Sequence, residues 1–176
     1  MILSLFPRLV WADTTDTVAS ESKAPRHWRL GLSIASLIKD DFSSESTTLL
    51  GPTSFWEFET SLRSSMGIHA AYRVSNDGSE LSQLGYGLIL KHKLGLVAMD
   101  IKDNWYLSYG LLLQVIRKKG LDGTGTAHDT KLCIGKDFGG DKVWFAEISG
   151  HYSRLRYFNS DDINLDYFEV VIGREL

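Results

Sequence analysis

Three residues that together could hydrolyse an ester lie near the C-terminus of the sequence. His151 and Ser153 are separated by one residue, and Asp166 follows after a polar stretch. In a β-strand, residues two apart point to the same face about 6.5 Å apart along the chain, so an imidazole can reach the serine hydroxyl and take its proton. A carboxylate on the next antiparallel strand would orient the imidazole and stabilise its charged form. The spacing predicts a Ser/His/Asp site.

Strands are the elements that must position these residues, because apolar and polar residues alternate with a period of two along most of the chain. Clusters of glycine, asparagine, aspartate and serine mark turns between the alternating segments. We predict eight strands, at residues 27–38, 54–62, 66–74, 82–94, 104–117, 129–138, 142–155 and 165–175.

An even number of antiparallel strands can close into a barrel. In bacterial membrane barrels both termini lie in the periplasm, with short turns on that side and longer loops outside. Counting back from the C-terminus makes residues 139–141 a periplasmic turn and 117–128 an outer loop, and we expect the longest connections outside. The fold class predicted is all-β, an antiparallel up-and-down eight-stranded transmembrane β-barrel. Aromatic residues at strand ends suit interfacial girdles: Trp28, Trp105, Trp144, Tyr157, Phe158, Tyr167 and Phe168.

A soluble, lipocalin-like barrel is the alternative fold. In that case the apolar stripes would face inward and hold a ligand, rather than facing lipid.

The N-terminal residues differ in composition from the predicted barrel domain. Residues 1–12 form an apolar run that ends in Val10-Trp11-Ala12, which indicates a possible signal peptide remnant. Residues 13–26 are rich in Ser and Thr without an apolar period and predict a flexible linker. The barrel domain is then 27–176. No later stretch approaches the roughly 20 apolar residues of a membrane helix.

Charge and cysteine content exclude some classes of partner. The net charge of -3 and the scattered lysines and arginines argue against nucleic acid as a partner. Cys133 is the single cysteine, so it cannot form an internal disulfide, and we interpret it as a small apolar residue of a strand.

Two segments carry a resemblance to a known family. Residues 131–140 followed by 143–153 look like a two-strand hairpin that ends in His151-Tyr152-Ser153, and residues 27–33 look like an early strand. Together they resemble the PagL family of outer-membrane lipid A 3-O-deacylases.

The resemblance implies a location in the bacterial outer membrane and a Ser/His/acid mechanism. Ser153 would be the nucleophile, His151 the base, and Asp166 the acidic residue where the family carries Glu. The substrate would be the 3-position acyl ester of lipid A in lipopolysaccharide, among outer-membrane lipids, and no metal or cofactor would be needed.

The sequence departs from the family in two respects. The family follows its serine with Asn-Ala-Gly near the oxyanion hole, whereas this chain has Arg154-Leu155-Arg156. Strict alternation also places His151 and Ser153 on the more polar, lumen-facing side, so facing lipid would require a bulge near Ser149-Gly150.

The alternative function is a catalytically inactive outer-membrane barrel that acts as a structural or lipid-binding component of an envelope assembly. Envelope protein partners would then use the loops at residues 39–53 or 120–130. The altered sequence after Ser153 favours this alternative.

Overall fold

The computed structural model describes residues 26–39, 47–61, 63–76, 80–94, 104–119, 124–140, 144–156 and 163–176. The possible signal peptide at 1–12 and the linker, up to residue 25, lie outside the described residues. Eight strands are present: β1 (Arg26–Lys39), β2 (Thr48–Ser61), β3 (Ser64–Ser75), β4 (Leu81–Lys93), β5 (Trp105–Lys118), β6 (Gly125–Phe138), β7 (Trp144–Arg156) and β8 (Ile163–Glu175).

The strands form a closed antiparallel barrel in which each strand pairs with the next and β8 pairs with β1. The prediction of an eight-stranded up-and-down barrel is confirmed. Strand β7 keeps a continuous register with both β6 and β8 through Ser149 and Gly150. The bulge that would turn His151 and Ser153 toward the outside is therefore absent. Within the described part of the chain there is no helix long and apolar enough to cross a membrane.

The polarity of the barrel is inverted relative to a water-soluble protein. Outward-facing leucines are widely exposed, with Leu111 at 72% and Leu132 at 65% of their full accessibility. Charged side chains such as Arg73, Lys131 and Glu169 are instead buried in the lumen. This arrangement is that of a transmembrane barrel and contradicts the soluble alternative, which requires the apolar stripes inside.

The outer surface carries an apolar band with aromatic edges. On β5 all the outward side chains are apolar or aromatic over the ten residue steps from Trp105 to Val115. At about 3.3 Å per step and a tilt near 40°, this run spans about 25 Å, the height of the apolar band in membrane barrels. Tryptophans 28, 56, 105 and 144 lie on the outside near the barrel end that holds both termini, which we call the terminal end.

Two strands begin four or more residues earlier than predicted. Strand β2 starts at Thr48 rather than residue 54, and β6 starts at Gly125 rather than 129. Parts of the predicted loops 39–53 and 120–130 are therefore strand. The prediction that the longest connections lie at the far end is also wrong, because the longest one, residues 94–104, joins β4 to β5 at the terminal end.

An apolar layer fills the lumen near the end opposite to the termini. Its members are inward-facing side chains from strand segments at that end, and they are at most 4% exposed. The layer consists of Ala35, Leu37, Leu49, Leu81, Ile116, Ala127, Leu165 and Tyr167. Below it, toward the terminal end, the lumen is filled mainly by polar and charged groups.

Candidate functional site

His151 is held between two carboxylates inside the lumen. Its Nδ1 lies 2.7 Å from Oδ2 of Asp129, and its Nε2 lies 3.0 Å from Oε2 of Glu169. The strand register produces this geometry. Asp129 on β6 is the cross-strand partner of Ser153, and Glu169 on β8 is the partner of Ser149, so the two acids flank His151 diagonally. The ring of Tyr167 stacks on the imidazole at 4.1 Å between centroids.

The two contacts determine the chemistry open to His151. A neutral imidazole has one N–H, whereas a doubly protonated ring has two donors. Only the doubly protonated ring donates a hydrogen bond to both carboxylates. Both ring nitrogens of His151 therefore face a carboxylate oxygen, and Nε2 is shared between Glu169 Oε2 at 3.0 Å and Ser149 Oγ at 3.1 Å.

Glu169 connects this cluster across the lumen. Its Oε1 accepts a hydrogen bond from Ser33 Oγ at 2.6 Å and forms an ion pair with Arg73. Its Oε2 accepts from Ser149 Oγ at 3.2 Å and from Lys131 Nζ at 3.3 Å. Glu169 is completely buried, so these charged donors replace the water that it loses.

Neutral polar groups complete the cluster. Gln114 Nε2 donates to Asp129 Oδ2 and to the hydroxyl of Tyr167, both at 2.6 Å, and Arg73 donates to Gln83 at 2.9 Å. We call the whole set the His151 network, and its members are Ser33, Arg73, Gln83, Gln114, Asp129, Lys131, Ser149, His151, Tyr167 and Glu169.

A second cluster occupies the lumen near the terminal end. Arg29 contacts Glu57 at 3.1 Å and Asp137 at 2.6 Å, and it donates to the hydroxyl of Tyr106 at 3.0 Å. Lys91 contacts Glu57 at 3.2 Å.

The charged side chains of the lumen are paired with one another. Lys131 contacts both Glu147 and Glu169 at 3.3 Å and so joins the two clusters. The paired groups are Arg29, Arg73, Lys91, Lys131 and His151 against Glu57, Asp129, Asp137, Glu147 and Glu169.

Ser153 faces the lumen but forms no hydrogen bond with His151. Its hydroxyl is fully buried and has no hydrogen-bond partner among the described residues. Ser149 takes the position expected for Ser153, with its Oγ 3.1 Å from His151 Nε2. Since that hydroxyl also lies within hydrogen-bond distance of Glu169, it belongs to the His151 network.

Asp166 lies on the opposite face of the barrel wall from His151. In the β7–β8 register Tyr167 pairs with His151 and Asp166 pairs with Tyr152, so Asp166 turns outward. The structure thus brings His151 and Ser153 to the same lumen face but does not bring Asp166 to them. Asp129 and Glu169 take the carboxylate positions beside the imidazole, and the sequence reasoning missed both.

The surroundings restrict access to the site. The apolar layer separates the His151 network from the far end of the lumen, and the barrel wall separates it from the outer surface. Within the described ranges, no group of three or more His, Cys, Asp or Glu side chains is arranged to hold a metal ion.

Comparisons with known proteins support the fold. Neisserial surface protein A (NspA), in its crystal structure, matches with a TM-score of 0.65 at 12% sequence identity, over 86% of this chain and 96% of that chain. The outer membrane protein OprG from Pseudomonas aeruginosa gives a TM-score of 0.47 at 11% identity, over 87% and 97%. No protein-family model matches the chain, and neither does any curated protein. The NspA likeness establishes an eight-stranded barrel fold of the kind found in an outer-membrane protein.

Proposed function

We propose that this protein is a non-enzymatic barrel of the bacterial outer membrane that acts as a structural or lipid-binding component of the envelope. The observation that carries the proposal is the position of His151 between Asp129 and Glu169 inside the lumen. His151 is held by carboxylates from both neighbouring strands, and so it joins strands β6, β7 and β8.

The outer-membrane location is supported by the surface of the barrel. Its outward face presents apolar side chains over about 25 Å, with tryptophans at one edge. Such a surface would aggregate in water, because it is far larger than the apolar patches that soluble monomers expose. Lipid is the solvent that this face requires.

A lipid A deacylase is the second candidate, and one observation favours it. Ser149 Oγ, His151 and Asp129 lie in the order of a Ser/His/acid triad, at 3.1 Å and 2.7 Å. Against it, Glu169 also contacts the ring nitrogen that would accept the serine proton, at 3.0 Å. An ester in the surrounding membrane would also be on the wrong side of the barrel wall.

The test is the mass of lipid A from a host with ordinary lipopolysaccharide that expresses the chain. We expect the lipid A mass to be unchanged by the native protein and by the Ser153→Ala and Ser149→Ala variants. Migration of the unheated protein on a denaturing gel verifies that each variant is a folded barrel.

Two results would overturn the non-enzymatic proposal. Loss of one hydroxyacyl group that Ser153→Ala abolishes would support the deacylase with Ser153 as nucleophile. The same loss abolished by Ser149→Ala alone would assign catalysis to the triad inside the lumen.

A further inference from the structure

A shallow groove crosses strands β2 and β3 on the outer surface of the barrel. Its floor is formed by small outward-facing residues, and larger apolar side chains border the floor. The floor consists of Pro52, Ser54 and Ala70, and the borders consist of Leu30, Tyr72 and Leu84. The strand register explains the depression, because Ser54 and Ala70 are direct cross-strand partners and place two short side chains next to each other. The volume of the groove is about 230 Å³.

The lining of the groove is almost entirely apolar. The hydroxyl of Ser54 donates to the carbonyl oxygen of Ala70 at 3.5 Å, so it is turned toward the backbone. Thr53 also borders the groove, but its hydroxyl lies on the lumen side, 2.8 Å from His69 Nε2. The described residues that line the groove include no charged side chain. A hydrocarbon chain therefore matches this lining, whereas an ion would find no partner of opposite charge.

The groove lies at mid-height in the barrel wall. Ser54 is the seventh of the 14 residues of β2, and Ala70 is the seventh of the 12 residues of β3. In the membrane location proposed above, this height corresponds to the hydrocarbon region, where acyl chains are the surrounding molecules. The groove is thus continuous with the apolar outer face that requires lipid.

The size of the groove limits what can occupy it. Pockets that enclose a whole small molecule have volumes of about 300–1,000 Å³, so this groove suits a segment of a flexible chain. A second copy of the protein is the other occupant to consider, and a stable interface commonly buries about 800 Å² on each partner. The groove admits little more than a side chain of such a partner, which is too little for an interface.

We propose that this groove binds an acyl chain of a membrane lipid in preference to the rest of the barrel wall. Between lipid and protein in a membrane, packing contacts decide where a chain rests, because both surfaces are equally apolar. A chain in the groove contacts the floor and the bordering side chains together, whereas on the convex wall it contacts one side only. The inference deepens the proposed function and rests on the membrane location given there.

The experiment maps where an acyl chain meets the barrel. The full chain is folded into vesicles of phosphatidylethanolamine and phosphatidylglycerol that contain a small fraction of a phosphatidylcholine with a diazirine at the middle of one acyl chain. After illumination, mass spectrometry of peptides measures the labelling of each outward residue. We expect Tyr72 at the groove to be labelled roughly threefold or more above Tyr152, since several carbon–carbon contacts favour the chain in the groove.

Tyr152 is a matched reference for Tyr72. The two side chains are 48% and 49% exposed, so they are equally accessible to the label. Each is the ninth residue of a strand that begins at the terminal end, Tyr72 in β3 and Tyr152 in β7, and these strands lie on opposite walls of the barrel. The two tyrosines therefore lie at the same height, and only the groove distinguishes them.

A pair of identical substitutions tests the groove itself. Ala70→Leu places a larger side chain on the floor, and it should reduce the labelling of Tyr72 to the level of Tyr152. Ala146→Leu makes the same change on the outward face of β7, away from the groove, and it should leave the excess at Tyr72 unchanged. Migration of unheated samples on a denaturing gel verifies that both variants are folded barrels.

Three results would overturn the proposal. Equal labelling of Tyr72 and Tyr152 in the native protein, or an excess at Tyr72 that survives Ala70→Leu, would show that the groove holds no preferred chain, while the membrane location would stand. A dimer in native mass spectra from lipid nanodiscs that Ala70→Leu dissociates would identify a second copy as the occupant. Absence of label from both tyrosines would contradict the membrane location and with it the proposed function.

Discussion

At the scale of single residues, Glu169 has the largest role in the lumen. It contacts side chains on four other strands: Ser33 on β1, Arg73 on β3, Lys131 on β6, and Ser149 and His151 on β7. Removing one partner of a buried ion cluster leaves the remaining charges uncompensated, which commonly costs about 3–5 kcal/mol. The lumen should therefore be sensitive to the loss of this one carboxylate.

We predict that Glu169→Gln lowers the free energy of unfolding by about 3 kcal/mol or more, because Arg73, Lys131 and His151 lose their shared anion. The measurement is urea unfolding in phospholipid vesicles, followed by tryptophan fluorescence. Asp166→Asn is the matched control, since it removes a carboxylate from the outward face of the same strand, and it should cost less than about 1 kcal/mol. Equal losses in the two variants would mean that the lumen network contributes no specific stability.

Alternation predicted the lumen face of His151 and Ser153 but not the neighbours of His151. One strand's period of two is enough to assign a side chain to the inside or the outside. The contacts of His151 depend also on the register of three strands, which brings Asp129 from β6 and Glu169 from β8 to the same level. Asp129 and Lys131 do share the inward phase of β6, and this was the available signal. Without the register, the sequence offered Asp166 as a carboxylate on the next predicted strand.

At the scale of the elements, strand β2 shows where alternation fails as a predictor. Gly51 and Pro52 interrupt the pattern and usually argue against a central strand, so the predicted strand began after them. The structure keeps both residues in β2, with Leu50 and Thr53 paired to β3 and no pairing between those two positions. A closed barrel holds the segment in place from both sides, and a single-sequence pattern does not include that constraint.

Gly51 is required where β2 passes closest to β3. A Cβ atom built on Gly51 would lie 1.8 Å from the carbonyl oxygen of Tyr72, which is backbone and cannot move aside cheaply. We predict that Gly51→Ala destabilises the barrel by about 2 kcal/mol or more and lowers the yield of folded protein.

The readout is the folded fraction after refolding into detergent, scored by the migration of unheated samples on a denaturing gel. Gly140→Ala is the control, because a Cβ there meets no atom within 4 Å. If the two variants refold equally well, the close approach of β2 and β3 at Gly51 is not a constraint on the fold.

At the scale of the whole molecule, the inverted polarity reflects the different surroundings of the inward-facing and outward-facing residues. The lumen pairs its charged side chains with one another below an apolar layer. Outward apolar side chains such as Leu111 and Leu132 are widely exposed, and lipid is the medium that they match. Alternation by itself predicts this division but not which set of residues faces outward, because a soluble barrel shows the same alternation with the faces exchanged.

A single charge placed on the outer face tests whether the leucines there meet lipid. Leu111 lies midway along the outward face of β5 and is 72% exposed. An arginine there would be near the centre of the bilayer, where it costs about 2–4 kcal/mol, so Leu111→Arg should make folding into phospholipid vesicles less favourable by that amount. Thr126→Arg, at the exposed start of β6, lies close to the interface and should cost at most about 1 kcal/mol. Water around the barrel would make both substitutions nearly neutral, so equal and small effects would show that the leucine face does not meet lipid.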